Sequence, residues 1–483
     1  MGKSFYVATN GNDSNPGTID KPWKTFKKAV LSAPAGCTVY VRGGTYKEQL
    51  AMSRIGALGA WTTFMAYPGE EVTIDGEGVP LPDNWGGLIE LGVEQFIRIS
   101  GFRVINSAMH GIFVHESSNI KVDNNYIENT YSAGISFENS SNFVVDKNTA
   151  INCATLGQGA WTPICIGNSS FATASNNVVD GTTIEGISFI DIQGGKIFSN
   201  KVSNCGVGIY INSWDDHMSD IEAYDNVVYS QDGICVNTER SGPVSHVRVY
   251  RNIVYNNDRR GLAAGWGGDP GYPVTLHDIE FANNISYGNA EEGFVVYARE
   301  DSDVQNIIVR NNLIYGNRGS GVKVDPIVST PFILKNISII NNTVYGNGSA
   351  DIWGSGGINI CTREDCKGVY DGITVRNNIV SGNLNFSIAV WPWGTAPAGL
   401  VIDHNLVEGY LDNQGGFGET YGKDPVVGAS SFVDAGNANF RLLKDSAAID
   451  KGSNDGAPSA DFDGTARPQG IGIDIGAFEY VPR

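Results

Sequence analysis

Along most of the chain short apolar runs alternate with single polar corners, and the alternation repeats. In Gly208 to Glu239 an apolar strand from Ile221 to Tyr224 leads to Asn226, a second apolar pair and a polar corner follow, and a glycine opens a third strand at Gly233. Aligned on that asparagine, the repeat recurs at Asn125, Asn148, Asn177, Asn200, Asn226, Asn252, Asn284, Asn312, Asn342, Asn378 and Asn405, spaced 23 to 36 residues apart. That spacing is one coil of a parallel β-solenoid, each coil stacking on the last and burying alternate side chains. A tight corner favours a residue that tolerates left-handed backbone angles, and a stacked amide can bond its counterpart one coil away, so each repeated Asn is expected to be such a corner. Val and Ile pairs flank nearly every copy, which excludes an asparagine-rich disordered chain.

The ends read differently. Residues 4–20 give a first strand and a Gly/Asn/Asp/Pro turn cluster. From Pro22 to Leu31, Trp23, Phe26 and Val30 fall on one helical face, with Pro22 near the start. Laid across an open solenoid end, such a helix protects unpaired strand edges. The expected fold is all-β: a single-stranded parallel β-helix of about a dozen coils. Its amino-terminal strand and capping helix occupy residues 1–37, the coils 38–406, and an irregular carboxyl-terminal seal 407–483.

A chain of 483 residues exceeds the usual single globular core, but a solenoid grows lengthwise. Sixty-one glycines suit its corners, and no apolar run is long enough for a membrane-spanning helix. A net charge of −19 argues against nucleic acid as partner. Seven cysteines show no metal-site spacing; Cys361 and Cys366 are close enough in sequence to close a small loop. The sequons at Asn139, Asn168 and Asn336 arise easily in such a composition, and the start MGKSFYV has no apolar leader and enters a strand pattern at once.

The glycine-led third strands define the face where function is expected. With a period of two, Ile209 and Ile211 point inward while Tyr210 and Asn212 point outward. Coils about 4.8 Å apart bring distant residues together on that outward stripe. Its central rows carry Glu138, Tyr210, Asn212, Trp214, Asp215, Asp216, His217, Asn237, Glu239, Arg240, Trp266, Tyr297, Arg299, Lys323 and Asp325, with Trp391 and Trp393 farther along. Carboxylates, cations and flat aromatic rings on one exposed face suit a sugar chain. Asp215, Asp216 and Glu239 form the acid/base set, because glycosidic cleavage needs one carboxyl to protonate the leaving oxygen and another to attack or to activate water. Crowding on a partly desolvated face is expected to push their pKa values apart. The binding set around them is Tyr210, Asn212, Trp214, His217, Asn237, Arg240, Trp266, Tyr297, Arg299, Lys323 and Trp391. His217 reads as a hydrogen-bonded surface residue more readily than a metal ligand, because the six histidines show no ligand spacing. The insertions at 265–277 and 350–370 would wall the groove through Trp266, Tyr272 and Trp353.

The amino-terminal segment, the coils and the run Asp461 to Glu479 together resemble secreted right-handed parallel β-helix proteins that act on polysaccharides, including glycosidases and pectate-lyase-like enzymes. Handedness rests on this resemblance and on the right-handed bias of parallel crossovers. The stretch from Gly208 is similar to β-helix glycosidases of the β-xylosidase type, where an Asp and a Glu come from neighbouring coils. Asn212 departs from the Asp found in related sequences, leaving Asp215 or Asp216 to take that role or the chain inactive. The resemblance implies a secreted or cell-surface glycoside hydrolase without a cofactor. The alternatives are a polysaccharide lyase acting on uronate chains, with Arg240, Arg299 or Lys323 for the carboxylate and calcium as its cation, and a non-catalytic carbohydrate-binding or surface protein.

Overall fold

A computed structural model describes residues 3–53, 56–81, 85–154, 161–265, 272–327, 331–364, 367–408 and 416–482. It divides into two compact units, Met1–Tyr210 and Ile211–Arg483.

Both units are built from coils of three strands that pair in parallel with their counterparts one coil away; Phe432–Asp434 and Asn439–Leu442, outside the coils, pair antiparallel with each other. In the amino-terminal unit, Ser118–Asp123 pairs with Ser141–Asp146, Tyr126–Thr130 with Thr149–Cys153, and the glycine-led Ile135–Glu138 with Ile164–Gly167. In the carboxyl-terminal unit the same three pairings join, for example, Thr275–Ala282 to Asp303–Arg310, Ile285–Tyr287 to Leu313–Tyr315, and Phe294–Ala298 to Val322–Pro326. Inward residues such as Ile135, Phe137, Ile234, Val236 and Val296 are fully buried, so period-two alternation fills the interior of each coil.

The asparagines stack as expected, but not for the conformational reason expected. Asn148 Nδ2 donates to Asn177 Oδ1 at 3.2 Å, and Asn312 Nδ2 to Asn342 Oδ1 at 2.9 Å. The left-handed residue at each corner is the one before: Asn124, Lys147, Asn176, Asp225, Arg251, Asn283 and Asn341 all have positive φ. That residue makes the bend, which aims the following amide into the interior. A second ladder runs five residues later in the carboxyl-terminal unit: Asn257 donates to Asn289 at 2.6 Å, Asn289 to Asn317 at 2.7 Å and Asn317 to Asn347 at 2.8 Å.

The glycine that opens each third strand is required by close approach. A Cβ at Gly233 would sit 2.1 Å from Gly261 O and 2.3 Å from Val254 Cγ1. The next coil's backbone occupies that space, and Ile234 N bonds the same Gly261 O at 3.0 Å.

The amino-terminal helix spans Phe26–Ser32, starting at its cap Thr25 rather than near Pro22. Thr25 Oγ1 accepts from Lys28 N at 3.1 Å, and Phe26 and Ala29 form the buried face, with Val30 only half-buried. Trp23 precedes the helix, bridges to Val7 and stacks on Phe5 with centroids 5.0 Å apart. The carboxyl-terminal segment extends the last coil at Val426, which bridges to Leu406. It then runs back along the Asn corners: Asn341 Nδ2 bonds Asp474 O at 3.0 Å and Asn311 Nδ2 bonds Ala460 O at 2.8 Å. A buried ion pair, Arg467 to Glu479 at 2.9 Å, ties this segment together. Among the described residues six cysteines are buried; Cys366, half of the expected small loop, lies outside them.

Candidate functional site

In the carboxyl-terminal unit two turns that end glycine-led strands lie side by side. Glu239 N donates to Ser213 O at 2.9 Å and Gly242 N to Trp214 O at 3.0 Å, so Trp214 to Asp216 runs against Glu239 to Gly242. This pairing brings side chains 25 residues apart into contact. Trp214 Nε1 donates to Glu239 Oε2 at 2.8 Å. Arg240 Nη1 pairs with Asp215 Oδ2 at 3.2 Å, and its guanidinium lies over the Trp214 ring, 4.8 Å from the centroid. Asp215, Glu239, Trp214 and Arg240 therefore form one cluster: the indole orients one carboxylate and the guanidinium holds the other. Asp216 is the exposed residue next along the turn. His217 is directed elsewhere, its Nε2 lying 2.7 Å from Ser245 Oγ, the surface role its sequence context suggested.

The rest of the stripe is not the open surface that alternation predicts. Asn212 and Asn237 are fully buried, and Tyr210, Tyr297 and Trp391 are nearly so. Each row is packed by neighbours one coil away, and the bonds to the Ser213 and Trp214 carbonyls carry that pairing on into the turns. Asn212 keeps both amide atoms buried without a hydrogen-bond partner, an orphaned polar group beside the carboxylate turns. Tyr210, on the same strand, closes the amino-terminal unit. Trp266 lies outside the described residues.

Farther along the glycine-led sheet, Tyr297 is in register with Asp325. Lys323 Nζ lies 3.3 Å from Glu292 Oε1 and 3.2 Å from Asp325 Oδ2, while Arg363 Nη2 reaches Asp325 Oδ1 at 3.0 Å. Burial would lower the Lys323 pKa, but the surrounding carboxylates, Glu292 first, outweigh it and hold the ammonium above the ordinary lysine range. Lys323 is thus a fixed cation, unsuited to act as a base. Arg299 is half-buried, and its backbone N–H donates to Ser302 Oγ at 2.9 Å.

Beyond this charged group lies an aromatic platform that the sequence supplied in pieces. Trp353 stacks on Trp393 with centroids 4.9 Å apart, and Trp391 meets both at 5.6 and 4.6 Å. Phe417 backs Trp353 at 5.4 Å. Trp353 remains 66% exposed, so a flat ring face is open to solvent. The sequence expects the insertion that carries Trp353 to wall a groove; it does not reveal the contact with Phe417, from a segment far along the chain. Glu138, on the stripe but outside the expected site set, belongs to the amino-terminal unit, where burial pushes its carboxyl up to about 7. The signal that could have drawn attention to it is Gly167, which is in register with Glu138 one coil on and leaves room for a long side chain.

Stacked parallel coils with a carboxylate-bearing turn pair and aromatic rings on one sheet define the class as parallel β-helix proteins. Family models match accordingly: "Pel9A-like, right handed beta helix region" over residues 5–158, "Periplasmic copper-binding protein (NosD)" over 87–265 and "Right handed beta helix region" over 232–426. The chain is 32% identical over 334 residues to the uncharacterized protein YwoF of Bacillus subtilis (strain 168), an alignment covering 60% of this chain and 70% of YwoF. It belongs to the right-handed parallel β-helix family that includes YwoF and has carbohydrate-active members. A more distant relative is pectate lyase PEL9 of Emericella nidulans, 25% identical over 353 residues, covering 68% of this chain and 77% of PEL9. Among solved structures, the Dettilon tailspike protein shares the fold with a TM-score of 0.50 at 13% identity, over 74% of this chain and 68% of its own.

Proposed function

We propose that the protein is a secreted or cell-surface enzyme that cleaves glycosidic bonds of a polysaccharide or oligosaccharide by hydrolysis, with Glu239 and one of Asp215 or Asp216 as its carboxylate pair. The observation that carries this reading is the side-by-side placement of the two turns, which brings Glu239 and Asp215 to one cluster with Trp214 and Arg240. In this reading one carboxyl group protonates the glycosidic oxygen as the bond to the anomeric carbon breaks, and the other attacks that carbon or takes a proton from the incoming water. Trp214 and Arg240 border the reacting sugar, and the Trp353 platform holds sugars farther along the chain.

A second reading, β-elimination on a uronate chain, is favoured by the likeness to PEL9 and by the guanidinium of Arg240 beside the carboxylates. Calcium would there neutralise the uronate carboxylate. Among the described residues no group of three or more His, Cys, Asp or Glu side chains is gathered to hold a metal ion, and Asp215 is already paired with Arg240. The residues present do not fit the ion.

The test is a panel of neutral and acidic polysaccharides assayed for new reducing ends and for near-ultraviolet absorbance. Reducing ends without absorbance support hydrolysis. Absorbance from an unsaturated uronate would replace hydrolysis with elimination, and retention of substrate with no cleavage would leave only binding.

A further inference from the structure

The amino-terminal unit carries a polar row of its own on the glycine-led sheet. Phe113, Ser136, Cys165 and Ser188 are successive neighbours in register, and His115, Glu138 and Gly167 form the next row. Their strand neighbours Ile135, Phe137, Ile164 and Ile166 fill the interior, so these rows face outward. Ser136 and Ser188 are buried, and neither hydroxyl has a hydrogen-bond partner. The Glu138 carboxyl occupies the space above Gly167, where an added Cβ would come within 2.6 Å of Oε1. Asn168 Nδ2 approaches Oε2 at 3.5 Å. His115 leans the other way: a Cβ on Gly92 would lie 2.7 Å from its Nε2. The two side chains therefore splay apart over adjacent coils. Trp161 borders this surface through an edge contact to His110 at 5.3 Å, and Trp85, 58% exposed, meets Trp161 edge-on at 5.8 Å.

We infer that this face is a sugar-binding site of the amino-terminal unit, taking a neutral pyranose oligosaccharide whose ring stacks at Trp85 and Trp161 and whose oxygens meet Glu138. The inference rests on the carbohydrate reading above and extends it to a different set of residues. Neutral sugar fits the charge of the site. Glu90, Glu138 and Asp191 bring carboxylates, while burial holds His110 neutral, down to about 4, and no Lys or Arg belongs to either row. A uronate would meet repulsion there.

The site should respond to pH through Glu138. Burial is the main cause that lifts its carboxyl to about 7; the charge of Asp191 adds to the rise and the Asn168 hydrogen bond opposes it. Below that pH the carboxyl donates a hydrogen bond to a sugar oxygen; above it the donor is lost. The groups that face it are His115 on one side, Asn168 and Asp191 on the other, and Cys165, which Glu138 and Glu185 both influence.

The experiment is calorimetric titration of the full chain, carrying Glu239→Gln to prevent turnover, with cello-, xylo- and manno-oligosaccharides and with oligogalacturonate, at about pH 5.5 and about pH 8.5. A neutral oligosaccharide should bind, weakening by about thirtyfold between the two pH values if only the protonated carboxyl binds. Adding Glu138→Gln, whose amide donates at every pH, should remove that dependence. Trp85→Ala, at an exposed position, should weaken binding at both pH values. Failure of every neutral oligosaccharide to bind, preference for oligogalacturonate, or binding indifferent to both substitutions would overturn the proposal. If the wild type cleaves a polysaccharide while the Glu138 and Trp85 variants bind as the parent does, this inference fails and the enzymatic reading stands. If nothing is cleaved but Glu138-dependent binding persists, the reverse holds.

Discussion

Replacing Asn312 with Ala tests whether the asparagine ladders hold the fold or merely accompany it. Its amide donates to Asn342 Oδ1 at 2.9 Å and to Phe281 O at 3.0 Å, and accepts from Asn284 N at 2.8 Å and Asn284 Nδ2 at 3.0 Å. Alanine removes all of these and leaves the buried Asn284 N–H without its acceptor. At a net of about 1 kcal/mol per hydrogen bond, plus about 1–3 kcal/mol for the stranded donor, the loss should be about 5 kcal/mol. Asn317 in the second ladder has the same set of bonds, to Asn347 and Ser286 O and from Asn289, so Asn317→Ala should cost the same. Urea unfolding followed by far-ultraviolet circular dichroism measures both. Because solenoid stability is close to a sum over coils and their interfaces, the loss should appear as a lower midpoint for the section that holds the substituted coil. A loss below about 1 kcal/mol in either variant, the scale of a single bond, would refute the reasoning.

Glu239→Gln, Asp215→Asn and Asp216→Asn should each leave the circular dichroism spectrum unchanged, and the two that form the working pair should each lose about a hundredfold or more in rate on a confirmed substrate; near-normal turnover in all three would discard this site. Trp353→Ala should raise KM by about tenfold on long oligosaccharides, the scale of one aromatic contact, with little change in kcat or in melting temperature. Glu138 binds its proton more tightly folded than unfolded, so between its ordinary value near 4.5 and about 7 the folded chain holds the extra proton. Its contribution is therefore full at low pH and lost as pH rises through that window, by about 3 kcal/mol at most. Glu138→Gln should flatten this part of the stability profile, and parallel wild-type and variant profiles would contradict the assignment.

The coil was legible because its signals are local: a corner residue, apolar pairs and a glycine at a fixed offset. The second ladder is equally local, with Asn257, Asn289 and Asn317 each five residues after a ladder Asn, but it is confined to the later coils and so is hidden by the asparagine that every coil shares. The left-handed corner lies one residue before the repeated Asn, because the sequence shows the repeat and not which neighbour bends. Trp214, Asp215, Glu239 and Arg240 were found together because stacking makes spacing in sequence into adjacency in space. Period two could not reveal that Asn212, Asn237 and Tyr297 are covered. Parity says which face a side chain takes, not how closely its neighbours pack around it on that face. The same limit applies to Glu138, whose shifted carboxyl depends on how closely its surroundings pack.

The ladder spacing varies from 23 residues between Asn125 and Asn148 to 36 between Asn342 and Asn378, while the bonds that join those pairs are both 3.0 Å. The stack is thus indifferent to how much chain each turn spends away from it. A loop can be lengthened, shortened or exchanged between two ladder positions without moving the coils above or below. For protein engineering this makes the coil a cassette: a foreign turn bearing a new set of side chains can be spliced between consecutive asparagines, with the hydrogen-bonded column serving as the fixed joint on either side.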